Sequence, residues 1–321
     1  MEKFGKSQSV ERREDDRFLR GLGRYVDDTA PLAALHGYVF RSPYAHGVIK
    51  SLDVEAAKAA LGVQLVLTSK VLEDFGIIGK MEASLLKNQD GQTAPNTDRF
   101  LLAKDKVRFV GEPVAMVFAE TLAQARAAVE LIWLEIEDLP AHMDVQPGGA
   151  SLHDKAPDNV AFDWAMGDLV QMEAAKSEAA HVLSFDIADN RIICNSMEPR
   201  GCWAELEKGR LHLCVNGQGV WAQKTQLANM FGLAESEIRV TNPDVGGGFG
   251  MKAMSYPEYF LVAQATRMLG KPVRWMSDRS EAMLSDNAGR DLTSTATLTL
   301  NSDLKITGYQ VQTFANMGAY S

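Results

Sequence analysis

Residues 114–138 read VAMVFAETLAQARAAVELIWLEIED and leave the backbone few options. The run 114–118 is apolar and has the length of a buried strand. Thr121 and Gln124 form the T-x-x-Q pattern of a capping box at a helix start. Leu122, Ala125, Val129 and Ile132 then recur at helical spacing. Leu134 and Ile136 alternate with Glu135 and Glu137, as in a strand buried on one face. A strand–helix–strand unit with these faces has to stack in layers, helix on sheet.

The same reading extends both ways. Strands are expected over 37–41, 47–52 and 63–68, with a short helix over 54–60 stopped at Leu61-Gly62. Residues 80–98 are polar and turn-rich and read as a loop. Residues 143–165 are rich in Pro, Gly and Asp and read as a linker, which with 321 residues divides the chain into two domains. Beyond it, alternation around the Lys208-Gly209 turn predicts antiparallel strands. Val220, Lys224, Leu227 and Phe231 mark a helix ending at Gly232. Ile238 and Val240 lie in a strand. Pro257 opens a second helix, with Leu261, Ala265 and Met268 as its apolar face and Gly270 as its stop. A strand follows over 273–276. The Thr-rich tail predicts a hairpin turning at Asn301-Ser302-Asp303. The fold class is α+β.

Several function classes are disfavoured. A net charge of -9 and the absence of a basic block argue against non-specific nucleic-acid binding. Cys194, Cys202 and Cys214 are odd in number and form no C-x-x-C pair, which argues against a disulfide framework and for a reducing compartment. His36, His46, His142, His153, His181 and His212 show no metal-ligand spacing along the chain. Residues 1–16 read as a flexible arm, without a secretory or twin-arginine leader. No apolar run approaches membrane-span length. Together these make the cytoplasm the expected location.

The segment NPDVGGGFGMK (242–252) packs Gly246, Gly247, Gly248 and Gly250 around Phe249. Three readings compete. Glycines permit close packing and positive φ. They also open a dinucleotide fingerprint, but Met251 stands where its third glycine belongs. Finally, they can bare consecutive backbone N–H groups as a cradle for an oxo or phosphate oxygen. In that third reading Phe249 walls a cavity, and Gln218, between Gly217 and Gly219, offers its amide to an oxo ligand.

At this point a resemblance becomes specific. GLGRYVDD (21–28), FRSPYAHGVI (40–49), VRFVGEPVAMVFAET (107–121), NSMEPRGCWAE (195–205), NGQGVW (216–221), IRVTNPDVGGGFGMK (238–252), YPEYFL (256–261), KPVRWMSDRSE (271–281) and NMGAY (316–320) occur in order over nearly the whole chain. This resembles the N-terminal part of the molybdenum-binding large subunit of the xanthine dehydrogenase / aldehyde oxidase / carbon monoxide dehydrogenase family.

The resemblance implies an α/β-hammerhead domain over 17–142 and a first molybdopterin-binding domain, truncated, over 166–321. It implies that Gln218, Gly247, Gly248, Phe249 and Gly250 bind a molybdenum–molybdopterin cofactor, of the cytosine dinucleotide form, with no direct protein ligand to the metal. It implies hydroxylation of an aldehyde, N-heterocycle or related substrate with oxygen from water, and iron–sulfur clusters and FAD on partner subunits. The family's general base is a glutamate in its C-terminal half, so no residue here is assigned as catalytic. The expected form is a fragment, a truncated product or half of a split subunit, not competent alone. The alternative is a non-catalytic scaffold form. Glu198, Arg200, Lys252 and Glu258 stay open between structural ion pairs and cofactor contacts.

Overall fold

The computed structural model describes residues 9–83 and 85–320. The first half contains α1 (Asp15–Leu19), β1 (Leu35–Arg41), β2 (Gly47–Asp53), α2 (Glu55–Lys58), β3 (Val63–Thr68), α3 (Ser69–Asp74), β4 (Lys106–Val107), β5 (Pro113–Ala119), α4 (Leu122–Val129) and β6 (Trp133–Asp138). The second contains α5 (Leu169–Glu178), β7 (His181–Asp189), β8 (Gly201–Glu207), β9 (Arg210–Val215), α6 (Trp221–Phe231), β10 (Ile238–Thr241), α7 (Pro257–Leu269), β11 (Val273–Met276), α8 (Arg279–Ser285), β12 (Leu292–Leu300) and β13 (Ile306–Ala315).

The capped helix of the opening motif is α4. The Thr121 hydroxyl accepts from the Gln124 N–H at 3.2 Å. The box is only half formed, because the same hydroxyl donates to Gln124 Oε1 at 2.9 Å. The glutamine amide lies over Gly62, where a Cβ would come within 2.4 Å of it. Thr121→Ala is expected to lower stability by about 1 kcal/mol, read as a shift in the urea midpoint. No shift would mean that the cap bond is already replaced by water.

Pattern and structure part at α7. The spacing gives it one apolar face, yet every residue from Pro257 to Thr266 is buried. It packs on β8, β9 and β11, and also on β3 and β5. Several of its polar residues are satisfied in the interior, although the Tyr259 hydroxyl has no hydrogen-bond partner there. Thr266 donates to the Ala204 carbonyl at 3.2 Å, and Gln264 accepts from Arg267 at 2.9 Å. Helices α1, α3, α5 and α8 were not legible as helices. Asp168 caps α5, and Asp278 caps α8, each accepting an N–H three residues on.

The main sheet has the order β10-β9-β8-β11-β1-β5-β3. Its centre joins the two sequence regions, since β1 and β11 pair in parallel with Leu35 opposite Val273. One apolar core therefore draws Val39, Leu67 and Phe118 together with Tyr259, Leu261 and Trp275. Two smaller sheets flank it, β4-β2-β6 and β13-β12-β7. The predicted arm falls partly on residues 1–8, outside the described residues. Its last two residues, Asp15 and Asp16, open α1. The next, Arg17, pairs through both guanidinium nitrogens with Asp244. Residues 139–168 contain no helix or strand beyond a bridge between His153 and Ala156. No helix among the described residues is long and apolar enough to cross a membrane.

Candidate functional site

Strands β9 and β10 run parallel, with Ile238 opposite Leu211. The chain therefore leaves both at the same edge, the place where open sheets collect ligands. Residues 216–220 leave β9 and residues 242–256 leave β10. The two loops are stitched together. Asn242 Nδ2 donates to the Gly217 carbonyl at 2.8 Å, and the Gln218 N–H donates to the Lys252 carbonyl at 3.1 Å.

The glycines serve approach as well as turning. A Cβ on Gly246 would sit 2.5 Å from Glu198 Cβ, and one on Gly248 would sit 2.5 Å from Gln218 Cδ. Gly247 and Gly250 have φ of +102° and +86°, and Phe249 between them has φ of +54°. That left-handed phenylalanine costs roughly 1–2 kcal/mol, so its neighbours must hold it. They do: the Gly250 N–H donates to Gln218 Oε1 at 2.8 Å, and the Ala253 N–H donates to the Gly250 carbonyl at 3.1 Å.

This arrangement leaves a defined set of donors. Among the described residues, the N–H groups of Gly247, Gly248 and Phe249 meet no protein acceptor. Because an N–H occupies Gln218 Oε1, the other end of that amide must be the Nε2 donor, and it too has no protein partner. Three consecutive backbone donors and one side-chain donor suit an anionic or oxo oxygen. A Cβ at Gly248 would collide with the donor amide.

Charged residues brace the loop from below. Glu198 Oε2 accepts from the Gly246 N–H at 2.7 Å and from Lys252 Nζ at 3.2 Å. Lys252 also donates to the Glu198 carbonyl at 2.7 Å and is fully buried. Burial pushes the Lys252 ammonium down, and Glu198 opposes that shift. Beneath it, Arg200 spans Glu258 at 2.9 Å and Asp286 at 2.5 Å, with Tyr256 stacked 3.7 Å from its guanidinium. Arg41 on β1 reaches Glu258 and Glu281, each at 2.7 Å. Arg200, Lys252 and Glu258 are thus ion-paired beneath the loop.

Gln218, Gly247, Gly248, Phe249 and Gly250 do come together, on an open surface. Phe249 was expected to wall a cavity, but it is 72% exposed. Among the described residues no opposing element covers it. Sequence reasoning missed Asn242, which ties the two loops, and Asp244, which Arg17 and the Arg24 N–H hold from the N-terminal side. Only an Asn-Pro-Asp run ahead of the glycines marked them.

Comparison with known proteins decides the family. Residues 152–321 match the molybdopterin cofactor-binding domain, and residues 20–140 match the aldehyde oxidase and xanthine dehydrogenase a/b hammerhead domain. The chain belongs to the molybdenum-binding large-subunit family of xanthine dehydrogenase, aldehyde oxidase and carbon monoxide dehydrogenase. It is 37% identical to the nicotine 6-hydroxylase large subunit of Paenarthrobacter nicotinovorans, over 97% of this chain and 38% of that protein. It is 31% identical to the carbon monoxide dehydrogenase large chain of Hydrogenophaga pseudoflava, over 96% and 39% respectively. Among solved structures, a Cu,Mo-CO dehydrogenase superposes with a TM-score of 0.85 at 30% identity, covering 96% of this chain and 40% of that one. Quinoline 2-oxidoreductase from Pseudomonas putida 86 gives 0.82 at 34%, covering 95% and 39%. The chain therefore spans about two-fifths of the length of these large-subunit relatives.

Proposed function

We propose that this chain supplies one wall of the molybdenum–molybdopterin site in a hydroxylase that oxidises an aldehyde, N-heterocycle or related small molecule with oxygen from water. The observation that carries the reading is the donor set at the parallel strand ends: the free N–H groups of Gly247, Gly248 and Phe249 beside Gln218 Nε2. The cofactor supplies two-electron redox chemistry at its metal when bound. This chain's part is to orient it. Gln218 Nε2 and the bare N–H groups would hold its oxygen atoms, with the metal carried by the cofactor rather than by a side chain. Phe249 becomes a water-excluding wall once the remaining part of a large subunit packs on it, and that part carries the general base.

The cytosine dinucleotide form of the cofactor, iron–sulfur and FAD partner subunits, and a cytoplasmic location complete the proposal. The family resemblance and the relatives' names as subunits support the first two, and the charge and cysteine content of this chain support the last. The domain limits 17–142 and 166–321 belong to the same proposal, with 1–16 as an arm and 143–165 as a linker. The family pattern leaves substrate choice to residues outside this chain.

The test is co-expression with the rest of a large subunit and its partners, followed by elemental analysis of the purified complex. Near one molybdenum per complex is expected, falling several-fold in Gln218→Ala. No molybdenum in the assembled wild-type complex would favour the scaffold alternative. Full loading of the Gln218→Ala complex would remove the assigned role of that amide.

A further inference from the structure

We propose that Glu205, Glu207 and His212 form a binding site for a divalent transition-metal ion of the zinc class. The three residues lie on the face of the main sheet opposite α7. Ala204 and Leu213 point into the α7 core, so the alternating residues Trp203, Glu205, Glu207 and His212 point the other way. Glu205 on β8 lies directly opposite His212 on β9, and Glu207 is its diagonal neighbour.

His212 is the informative member. It is only 6% exposed. The Trp203 ring meets it edge-on at 4.9 Å between centroids, and its Nε2 lies 2.8 Å from Thr241 Oγ1. Its other nitrogen, Nδ1, is buried without a hydrogen-bond partner. That nitrogen faces Glu205 Oε1 at 3.6 Å and Glu207 Oε2 at 3.7 Å. Both distances are too long for a hydrogen bond. They are close to the roughly 3.3–3.6 Å that separates neighbouring ligand atoms around a tetrahedral ion with bonds of about 2.0–2.2 Å. The three candidate ligand atoms all lie within 4.8 Å of one another. Small rotations of the two half-exposed carboxylates close the set.

The supporting shell has the form that metal sites use. A hydrogen bond from one imidazole nitrogen fixes the ring and leaves the other to face the ion, and Thr241 provides that bond. The Glu205 carboxylate makes no hydrogen bond among the described residues. Arg239 competes directly: it pairs with Glu207 Oε2 at 2.7 Å, and its side chain is 42% exposed. Solvent gives it room to swing away. One imidazole and two carboxylates make three ligands, with a fourth position for water.

The test uses the untagged, metal-free chain, titrated calorimetrically with Zn2+ and followed by visible absorption with Co2+. One equivalent of Zn2+ and the visible bands of tetrahedral Co2+ are expected. His212→Gln should weaken Zn2+ at least ~10-fold. Arg239→Gln should tighten it several-fold, a change that a purely structural trio does not produce. Should His212→Gln fail to fold, Glu205→Gln takes its place, with a loss of similar direction. Absence of saturable binding to the wild-type chain, or unchanged affinity in the ligand variants, overturns the proposal.

Discussion

Arg200→Met is expected to destabilise the chain by about 3–5 kcal/mol, the cost of leaving buried charge without its partner. Arg200 is fully buried and holds Glu258, Asp286 and the Ser285 hydroxyl together. Its removal strands two carboxylates in the interior, with Arg41 left to answer Glu258 alone. The urea midpoint should fall by about 1 M or more at ordinary slopes. The double variant Arg200→Met with Glu258→Gln should recover part of the loss, because the stranded charge is gone. An unchanged midpoint in the single variant would show that water enters and rescues the site.

The same network sets an acid limit. Burial pushes the Glu258 carboxyl up, but Arg200 and Arg41 outweigh it and hold the group at about 2, below its usual 4.5. A carboxylate depressed in the folded state stabilises fully above its unfolded value. That contribution is lost as pH falls from about 4.5 towards 2, because the unfolded chain then binds the extra proton. Stability should therefore drop through this window in the wild type. In Arg200→Met the Glu258 contribution to this drop should be smaller, because the folded-state carboxyl rises towards its unfolded value.

Gly248→Val is expected to reduce molybdenum in the assembled complex by more than about tenfold, the scale of losing one well-placed set of contacts. The new Cβ would lie 2.5 Å from Gln218 Cδ and 2.6 Å from its Oε1. The amide must move, the Gly250 N–H loses its acceptor, and Nε2 leaves its position. Gly250→Ala is the control. Its Cβ meets nothing within 4 Å, so only the positive φ is penalised. Elemental analysis of both complexes separates the steric effect from the conformational one. Equal loading of Gly248→Val and wild type would sink the cradle reading.

The strands and main helices were legible because their signals are local. The Thr121 cap, the Gly232 and Gly270 stops and the Asn301 turn each act within a few residues. Helix α7 was legible in extent but not in burial. Periodicity reports which side chains are apolar, whereas Glu258 and Thr266 are buried because distant groups satisfy them. The glycine loop and Gln218 stood out as unusual letters. Their pairing, Gln218 with Gly250 32 residues apart, depends on β9 and β10 lying side by side. The histidines show no ligand spacing along the chain. Cross-strand register placed His212 opposite Glu205 instead.

By itself, the sequence determined the α+β class, the order of the main strands and longer core helices and the family, since each rests on short segments and their order. Only the tertiary structure decided that the two regions share one sheet through β1 and β11. It alone also decided that Arg200 belongs to Glu258 rather than to a cofactor, that Phe249 faces outward, and which backbone N–H groups remain free. Those outcomes depend on which distant groups meet, and a buried charge or a bare donor has its meaning only from the partner it finds or lacks.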